Sequence, residues 1–282
     1  GHMLFKIQHH THYKYSRPVS FEPHFLRFRP RDDSFQKLLE FNISISPEPK
    51  GISEHVDLDG NTIYQAWFNG SSQELVIQST ALIKTKNRNP FNYLVHPESA
   101  LILPIEYPKD VDDFIKPYTA PITNSIEVLR FAEGMAYEVN RQTIPFLIHL
   151  TQEINHKFRK EYREFGEPYS PEKTLVGKNG SCRDLVVLFI ETCRMLGFAA
   201  RFVSGYYFEE LHTEKQELHS WAEVYIPGGG WRGFDPSTGL ATADRHIAVS
   251  ASSIPRLSAP VAGTYLGEAD STLTTDIRIS AL

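Results

Sequence analysis

The chain has few cysteines and no apolar run of the length needed to span a membrane. Its 282 residues include only Cys182 and Cys193. The two cysteines are predicted on one helix about 16 Å apart, which is too far for a disulfide. Two separated cysteines and scattered histidines also lack the spacing of a zinc site. We therefore expect reduced thiols, no metal and no other cofactor.

An excess of positive charge is also missing. The formal net charge is −5 and no basic block occurs, which argues against a nucleic-acid partner. No secretory signal begins the chain and no internal repeat is evident. Together with the reduced thiols, these features predict a cytoplasmic protein without a membrane partner.

Cys182 precedes a strongly apolar helical segment. Residues 185–190 are apolar all round, which predicts a central helix that Gly197 ends. Ser181 is a good N-cap, and Asp184 stands three residues further on. The sulfur of Cys182 would then lie at the positive end of the helix dipole, which predicts a depressed pKa for this thiol. A lone cysteine in such a place is otherwise a structural residue of the core.

Residues 219–235 have the pattern of a β-hairpin. Residues 219–226 alternate between two faces, glycines follow at 228–230, and residues 231–235 return. A turn centred on Pro227 would place His219 directly opposite Asp235, close enough for the carboxylate to bind the imidazole N–H. A thiol, an imidazole and a carboxylate are the components of an activated cysteine nucleophile. The alternative is an exposed His and Asp on one polar strand face.

Four short motifs carry a family resemblance. They are Gly180-Ser181-Cys182-Arg183-Asp184, the segment 197–206, His219-Ser220-Trp221-Ala222-Glu223-Val224, and Asp235-Pro236-Ser237. These motifs resemble the transglutaminase-like superfamily, whose core is a papain-like cysteine-enzyme fold. Segments within residues 10–31 and 57–61 resemble the N-terminal domain of bacterial transglutaminase-like proteins.

The resemblance implies a role for each residue of the predicted site. Cys182 would be the nucleophile, His219 the general base and acid, and Asp235 the residue that orients His219. Arg183, beside the nucleophile, stands where many relatives carry Gln and is expected to contact substrate. Trp221 and Tyr162 are the other residues expected to contact substrate.

The pattern along the chain predicts an α+β protein. Residues 4–105 read as an N-terminal β-rich, sandwich-like domain, 106–245 as a transglutaminase-like catalytic domain with a nucleophile helix packed on an antiparallel sheet, and 246–282 as a C-terminal extension. Helices are predicted over 125–140 and 144–159, a loop over 160–180, and a last strand of unknown partner over 272–279.

The function expected from these features is cysteine-dependent acyl transfer on a peptide or isopeptide-like amide through a thioester intermediate. Hydrolysis is favoured over cross-linking, because no calcium-ligand loop is recognisable. A non-catalytic peptide-binding module is the alternative. An acyl-CoA-dependent acetyltransferase shares the triad order but fits the N-terminal β domain and the motifs less well.

Overall fold

The computed structural model describes residues 2–86, 89–210 and 216–282. Within these ranges the strands are β1 His2–Phe21, β2 His24–Leu26, β3 Gln36–Ser46, β4 Gly51–Val56, β5 Thr62–Trp67, β6 Ser72–Lys86, β7 Arg159–Lys160, β8 Asn179–Gly180, β9 Ala200–Tyr207, β10 His219–Ile226, β11 Gly230–Asp235, β12 Leu240–Ala241, β13 His246–Ser252, β14 Val261–Ala262, β15 Tyr265–Leu266 and β16 Ser271–Ala281. The helices are α1 Lys109–Thr119, α2 Ile126–Glu138, α3 Thr143–Lys157, α4 Pro171–Gly177 and α5 Cys182–Met195, with 3-10 turns at Glu98–Leu101 and Pro255–Ser258.

Strands β1 to β6 and the last three strands of the chain, β14 to β16, form two antiparallel sheets. We call this unit the N-terminal half. One sheet has the strand order β15-β1-β6-β3 with β16 added to β1, and the other has the order β14-β2-β5-β4. Buried and less buried residues alternate along β6, which is the period of a strand with one face in a core. Apolar side chains from both sheets share one cluster, which includes Leu26, Tyr64 and Leu75.

The last strand of the chain belongs to the first sheet. Strand β16 runs antiparallel to β1 from the pair Phe5–Ala281 to the pair Tyr15–Ser271. The sequence predicts this strand without its partner. The partner is β1, so the two ends of the chain share one sheet.

The second half is a five-stranded antiparallel sheet covered by helices. Its order is β12-β11-β10-β9-β13. Helix α5 is central, and every residue from Asp184 to Arg194 is buried. Its apolar residues share a cluster with α2, α3 and the inner residues of β10, among them Ala222 and Val224. The α+β prediction is confirmed, and no helix among the described residues is long and apolar enough to cross a membrane.

The helix predictions hold with one correction. Helices α2 and α3 match the two predicted segments within a few residues at each end. The predicted loop over 160–180 is wrong in part, because it contains α4. Ser170 caps this helix by accepting a hydrogen bond from the backbone N–H of Lys173, and Pro171 occupies its first turn. Ser followed by Pro is a helix start signal that the polar composition of the segment hides.

Two side-chain amides join the N-terminal half to β13. The Gln36 amide donates to the carbonyl of Ala248 at 2.9 Å and accepts from its N–H at 3.0 Å. Asn61 makes the same pair of bonds with Ala251, at 2.7 and 2.9 Å. Each amide therefore pairs with the strand as a backbone peptide group would, which satisfies polar groups of the edge strand.

Candidate active site

The start of α5 holds Cys182 in a fixed position. The Ser181 hydroxyl accepts from the Asp184 N–H, and the Asp184 carboxylate accepts from the Ser181 N–H at 2.8 Å, which is the expected capping box. Asp184 is fully buried, and its carboxylate also accepts a hydrogen bond from each terminal nitrogen of Arg163, both at 2.7 Å. A buried carboxylate with these donors fixes the first helical turn.

His219 and Asp235 are hydrogen-bonded to each other. The His219 Nε2 lies 2.7 Å from the Asp235 Oδ2. Asp235 is fully buried, and burial by itself favours its neutral form; the imidazoles of His219 and His246 outweigh that effect and hold the pKa of Asp235 well below its ordinary value. An ionised carboxylate only accepts hydrogen bonds, so the His219 Nε2 carries a proton. In the neutral imidazole, Nδ1 is then the nitrogen that can accept a proton.

The register of the hairpin differs from the sequence-based prediction. Ala222 pairs with Phe234 and Ile226 with Gly230, so the turn is centred on Gly228 rather than Pro227. Asp235 is therefore offset by two residues from a position directly opposite His219. An offset of two residues keeps the same face of the sheet, and the side chains still meet across the strands.

His246 is a residue of this site that sequence reasoning missed. It begins β13, and its Nε2 lies 2.8 Å from the same Oδ2 of Asp235. A histidine at the start of an apolar strand gives no signal of a partner eleven positions upstream on another strand. The Ser237 N–H and hydroxyl donate to the other oxygen, Oδ1, at 2.9 and 2.7 Å.

Among the described residues, His219, Asp235 and His246 are close enough together to be considered as ligands of a metal ion. The ligand atoms of His219, Asp235 and His246 lie within 4.8 Å of one another. Both imidazole nitrogens are at hydrogen-bond distance from one oxygen, at 2.7 and 2.8 Å. Ligands of a tetrahedral zinc ion are separated by about 3.3 Å, given zinc–ligand distances of about 2.0–2.1 Å. The spacing is therefore that of a hydrogen-bonded trio.

Cys182 borders a cavity of about 510 Å³ that His219 also lines. The sulfur receives a hydrogen bond from the Ser220 hydroxyl at 3.5 Å. Burial raises the pKa of the Cys182 thiol, against the smaller opposing effects of Ser220 and of the Lys160 and Arg183 cations. The expected depressed pKa is therefore wrong, because the cavity walls remove more hydration from the thiolate than nearby donors and cations replace.

The cavity lies between the two halves of the molecule. One wall comes from the second half, with Cys182, Ser220 and Phe202. The opposite wall comes from the N-terminal sheet, and the segments 163–168 and 255–261 close the sides. That wall consists of β1 and β16 residues, namely His9, Thr11, Tyr13, Leu273, Thr275 and Ile277.

The three residues expected to contact substrate lie in different places. Arg183 lines the cavity, and its guanidinium donates to the carbonyls of Arg163 and Glu164 at 2.7 and 3.2 Å. Trp221 is instead 2 % exposed and packs in the core with Val203. Tyr162 is 64 % exposed and is not part of the cavity lining. The alternation of β10 put Trp221 beside His219 correctly, but the pattern alone does not indicate that β13 covers that face.

Comparisons with known proteins agree with the architecture. Residues 5–84 match the model of the bacterial transglutaminase-like N-terminal region, and residues 133–236 match that of the transglutaminase-like superfamily. Uncharacterized proteins of Mycobacterium bovis and Mycobacterium tuberculosis are each 25 % identical over 279 residues, covering 88 % of this chain and 83 % of theirs.

A solved structure shows the same fold over the whole chain. The structure of a "putative cysteine protease" from Cytophaga hutchinsonii aligns with a TM-score of 0.74 and 20 % identity, covering 100 % of this chain and 91 % of that one. By the two family matches, residues 133–236 belong to the transglutaminase-like superfamily and residues 5–84 to the bacterial transglutaminase-like N-terminal region.

Proposed function

We propose that the protein is a cysteine-dependent acyl-transfer enzyme that hydrolyses an amide bond in a peptide or isopeptide-like substrate. One observation carries the proposal. Cys182 and His219 border the same cavity, and His219 is oriented by a fully buried carboxylate at 2.7 Å. An oriented base beside a thiol is the arrangement that activates a cysteine nucleophile.

The proposed reaction has two halves. The Cys182 proton passes to the His219 Nδ1 as the sulfur attacks the amide carbonyl, and the Cys182 N–H at the start of α5 stabilises the oxyanion. The C–N bond then breaks, the leaving amine takes the proton from His219, and a thioester remains. Water attacks the thioester with His219 as base, which releases the carboxylic acid and returns the proton to the thiol.

A peptide-binding module without catalysis is the alternative, and one observation favours it. Burial raises the pKa of the Cys182 thiol, which favours its neutral form. A module of this kind would use the cavity for a peptide and leave the thiol unreactive. The hydrogen bond between His219 and the buried Asp235 supports the enzyme instead, because binding alone does not require it.

The first experiment measures alkylation of Cys182 by iodoacetamide against pH, read by mass spectrometry. Cys193 is the internal control, because it is buried in the core and burial raises the pKa of its thiol well above the ordinary value. We expect Cys182 to react at least tenfold faster than Cys193 near neutral pH, and His219→Ala to slow the reaction of Cys182 itself.

A second assay tests the hydrolytic half. A library of peptide amides and isopeptides is incubated with the native chain and with Cys182→Ala, and new carboxyl termini are identified by mass spectrometry. Products that form only with the native chain support the enzyme. Equal alkylation of the two cysteines, together with an unchanged rate in His219→Ala, contradicts it and favours the binding module.

A further inference from the structure

The Asp235 carboxylate is surrounded by donors on both of its oxygens. Ser237 provides two donors to Oδ1, at 2.9 and 2.7 Å. Oδ2 faces two imidazoles, the Nε2 atoms of His219 at 2.7 Å and of His246 at 2.8 Å. Since an ionised carboxylate only accepts, both of these nitrogens carry a proton. The proposed base therefore shares its carboxylate oxygen with a second histidine.

The His246 ring is held in place by its neighbours. The residue is 7 % exposed, and its backbone pairs with Tyr207 of β9. The Tyr207 ring centre lies 4.5 Å from that of His246, and the Trp221 ring meets it edge-on at 5.0 Å and 77°. Packing of this kind fixes the rotamer, so the Nε2 stays directed at Asp235.

We propose that His246 is a positioning residue of the site, which holds the Asp235 carboxylate in the orientation that selects the Nε2–H tautomer of His219. The inference rests on the proposed function for its catalytic consequence. With Oδ1 fixed by Ser237 and Oδ2 fixed by His246, the carboxylate does not rotate away from His219. In the neutral form of His219, Nδ1 is then the nitrogen that can accept the Cys182 proton.

Trp221, which is buried, takes part in holding His246 in place. Trp221 follows His219 by two residues on β10 and contacts His246 rather than the cavity. Tyr207 lies near both imidazoles, 5.3 Å from the His219 ring centre. The two aromatic residues therefore support the hydrogen-bonded trio, and their effect on catalysis passes through His246 and His219.

A matched pair of variants separates positioning from packing. In His246→Gln the amide nitrogen lies as many bonds from Cβ as Nε2 does, so it reaches Oδ2. In His246→Asn the amide is one bond shorter and reaches only the place of Nδ1. Both replacements remove the ring and keep a polar amide, so they differ in whether Asp235 keeps its donor.

Two readouts are used. The first is the rate of Cys182 alkylation by iodoacetamide. The second is the tautomer of His219, read from ¹⁵N chemical shifts of labelled histidine in a Cys182→Ala background. We expect His246→Asn to give a mixture of His219 tautomers and to lower the alkylation rate about 10- to 100-fold, the loss found when a group that orients a metal-binding histidine is removed. We expect His246→Gln to stay within about threefold of the native rate with the Nε2–H tautomer retained.

Control measurements keep the two proposals distinguishable. His24→Asn removes another buried histidine, which bonds to the carbonyl of Glu22 in the N-terminal half, and should change stability without changing the His219 tautomer. Circular dichroism checks that each variant folds. If the native Cys182 proves unreactive, the proposed function fails, while the tautomer of His219 still reports on His246.

Two results would overturn the inference. One is equal behaviour of the Gln and Asn variants in both readouts, which would make the role of His246 one of packing. The other needs no variant at position 246: ¹⁵N shifts of the Cys182→Ala chain that show an unprotonated Nε2 on His246 would remove the donor on which the inference depends.

Discussion

Ser220 donates a hydrogen bond to the sulfur of Cys182. Its hydroxyl lies 3.5 Å from Sγ, and this bond opposes the effect of burial, which raises the pKa of the thiol. Asp235 also acts to raise that pKa through its negative charge. A thiolate at this position therefore depends on few stabilising groups, and the loss of one should be measurable.

We expect Ser220→Ala to raise the apparent pKa of Cys182 and to slow its alkylation near neutral pH about tenfold, because a hydrogen bond to a charged group contributes about 1.5–3 kcal/mol. The measurement is the pH dependence of the iodoacetamide rate. Ser204→Ala is the matched control: this residue pairs with Ser220 across the strands, and its hydroxyl donates to the Ser258 carbonyl instead. Equal slowing in both variants would contradict the role given to Ser220.

The strands around the site show what sequence patterns predict at the scale of elements. Alternation predicts correctly that His219 and Asp235 share a face, because the side-chain period of a strand is two. The centre of the turn is predicted one residue too early, since Pro227 and three glycines allow more than one loop. Helix α5 and its capping box follow from local residues, whereas the cover that β13 gives to Trp221 depends on a strand 25 residues later.

Close packing in these strands depends on Gly205, which pairs with His219. A Cβ at this position would lie 2.1 Å from the Ile247 carbonyl oxygen and 2.8 Å from the Trp221 ring. We expect Gly205→Ala to lower the free energy of unfolding by about 1–3 kcal/mol, the usual cost of overpacking. The substitution should also shift the neighbouring His246. Chemical denaturation measures the first effect and the His219 tautomer the second.

Gly134 provides the opposite case within the same chain. It lies inside α2 and a Cβ there has nothing within 4 Å. We expect Gly134→Ala to stabilise the protein by about 0.5–1 kcal/mol, because Ala is the better helix former. If Gly205→Ala leaves the stability unchanged or raises it, as Gly134→Ala is expected to do, the packing described around Gly205 is incorrect.

At the scale of the whole molecule, the N-terminal half completes the cavity. Strands β1 and β16 provide one of its walls, and His9 of β1 also bonds to Tyr206 of β9 at 2.7 Å. The family resemblance predicts the presence of this β-rich half, but local patterns do not give its docking. The pairing of β16 with β1 joins residues more than 250 positions apart, and no periodicity in either segment identifies its partner.

A buried ion network links the halves at Glu223. Its carboxylate forms ion pairs with Arg31 of the N-terminal half and with Arg201 of β9, both at 2.8 Å. Burial by itself favours the neutral acid, and the two guanidinium groups outweigh it and lower the pKa of Glu223 from 4.5 to about 2. A carboxyl group with a lower pKa in the folded state binds fewer protons than in the unfolded state. Its contribution to stability is therefore complete above about pH 4.5 and is lost as the pH falls toward 2.

We expect Glu223→Gln to lower the free energy of unfolding at pH 7 by about 3–5 kcal/mol, because two buried guanidinium groups lose their counter-charge. The loss should shrink as the pH falls from 4.5 toward 2, where the native carboxyl group also becomes neutral. Denaturation curves of both chains from pH 7 to pH 2.5 measure this convergence. Glu74→Gln is the control, because Glu74 is exposed and pairs with His12 at the surface, so its effect should be small. A stability difference at position 223 that stays constant across this range would show that the ionised carboxylate does not hold the two halves together.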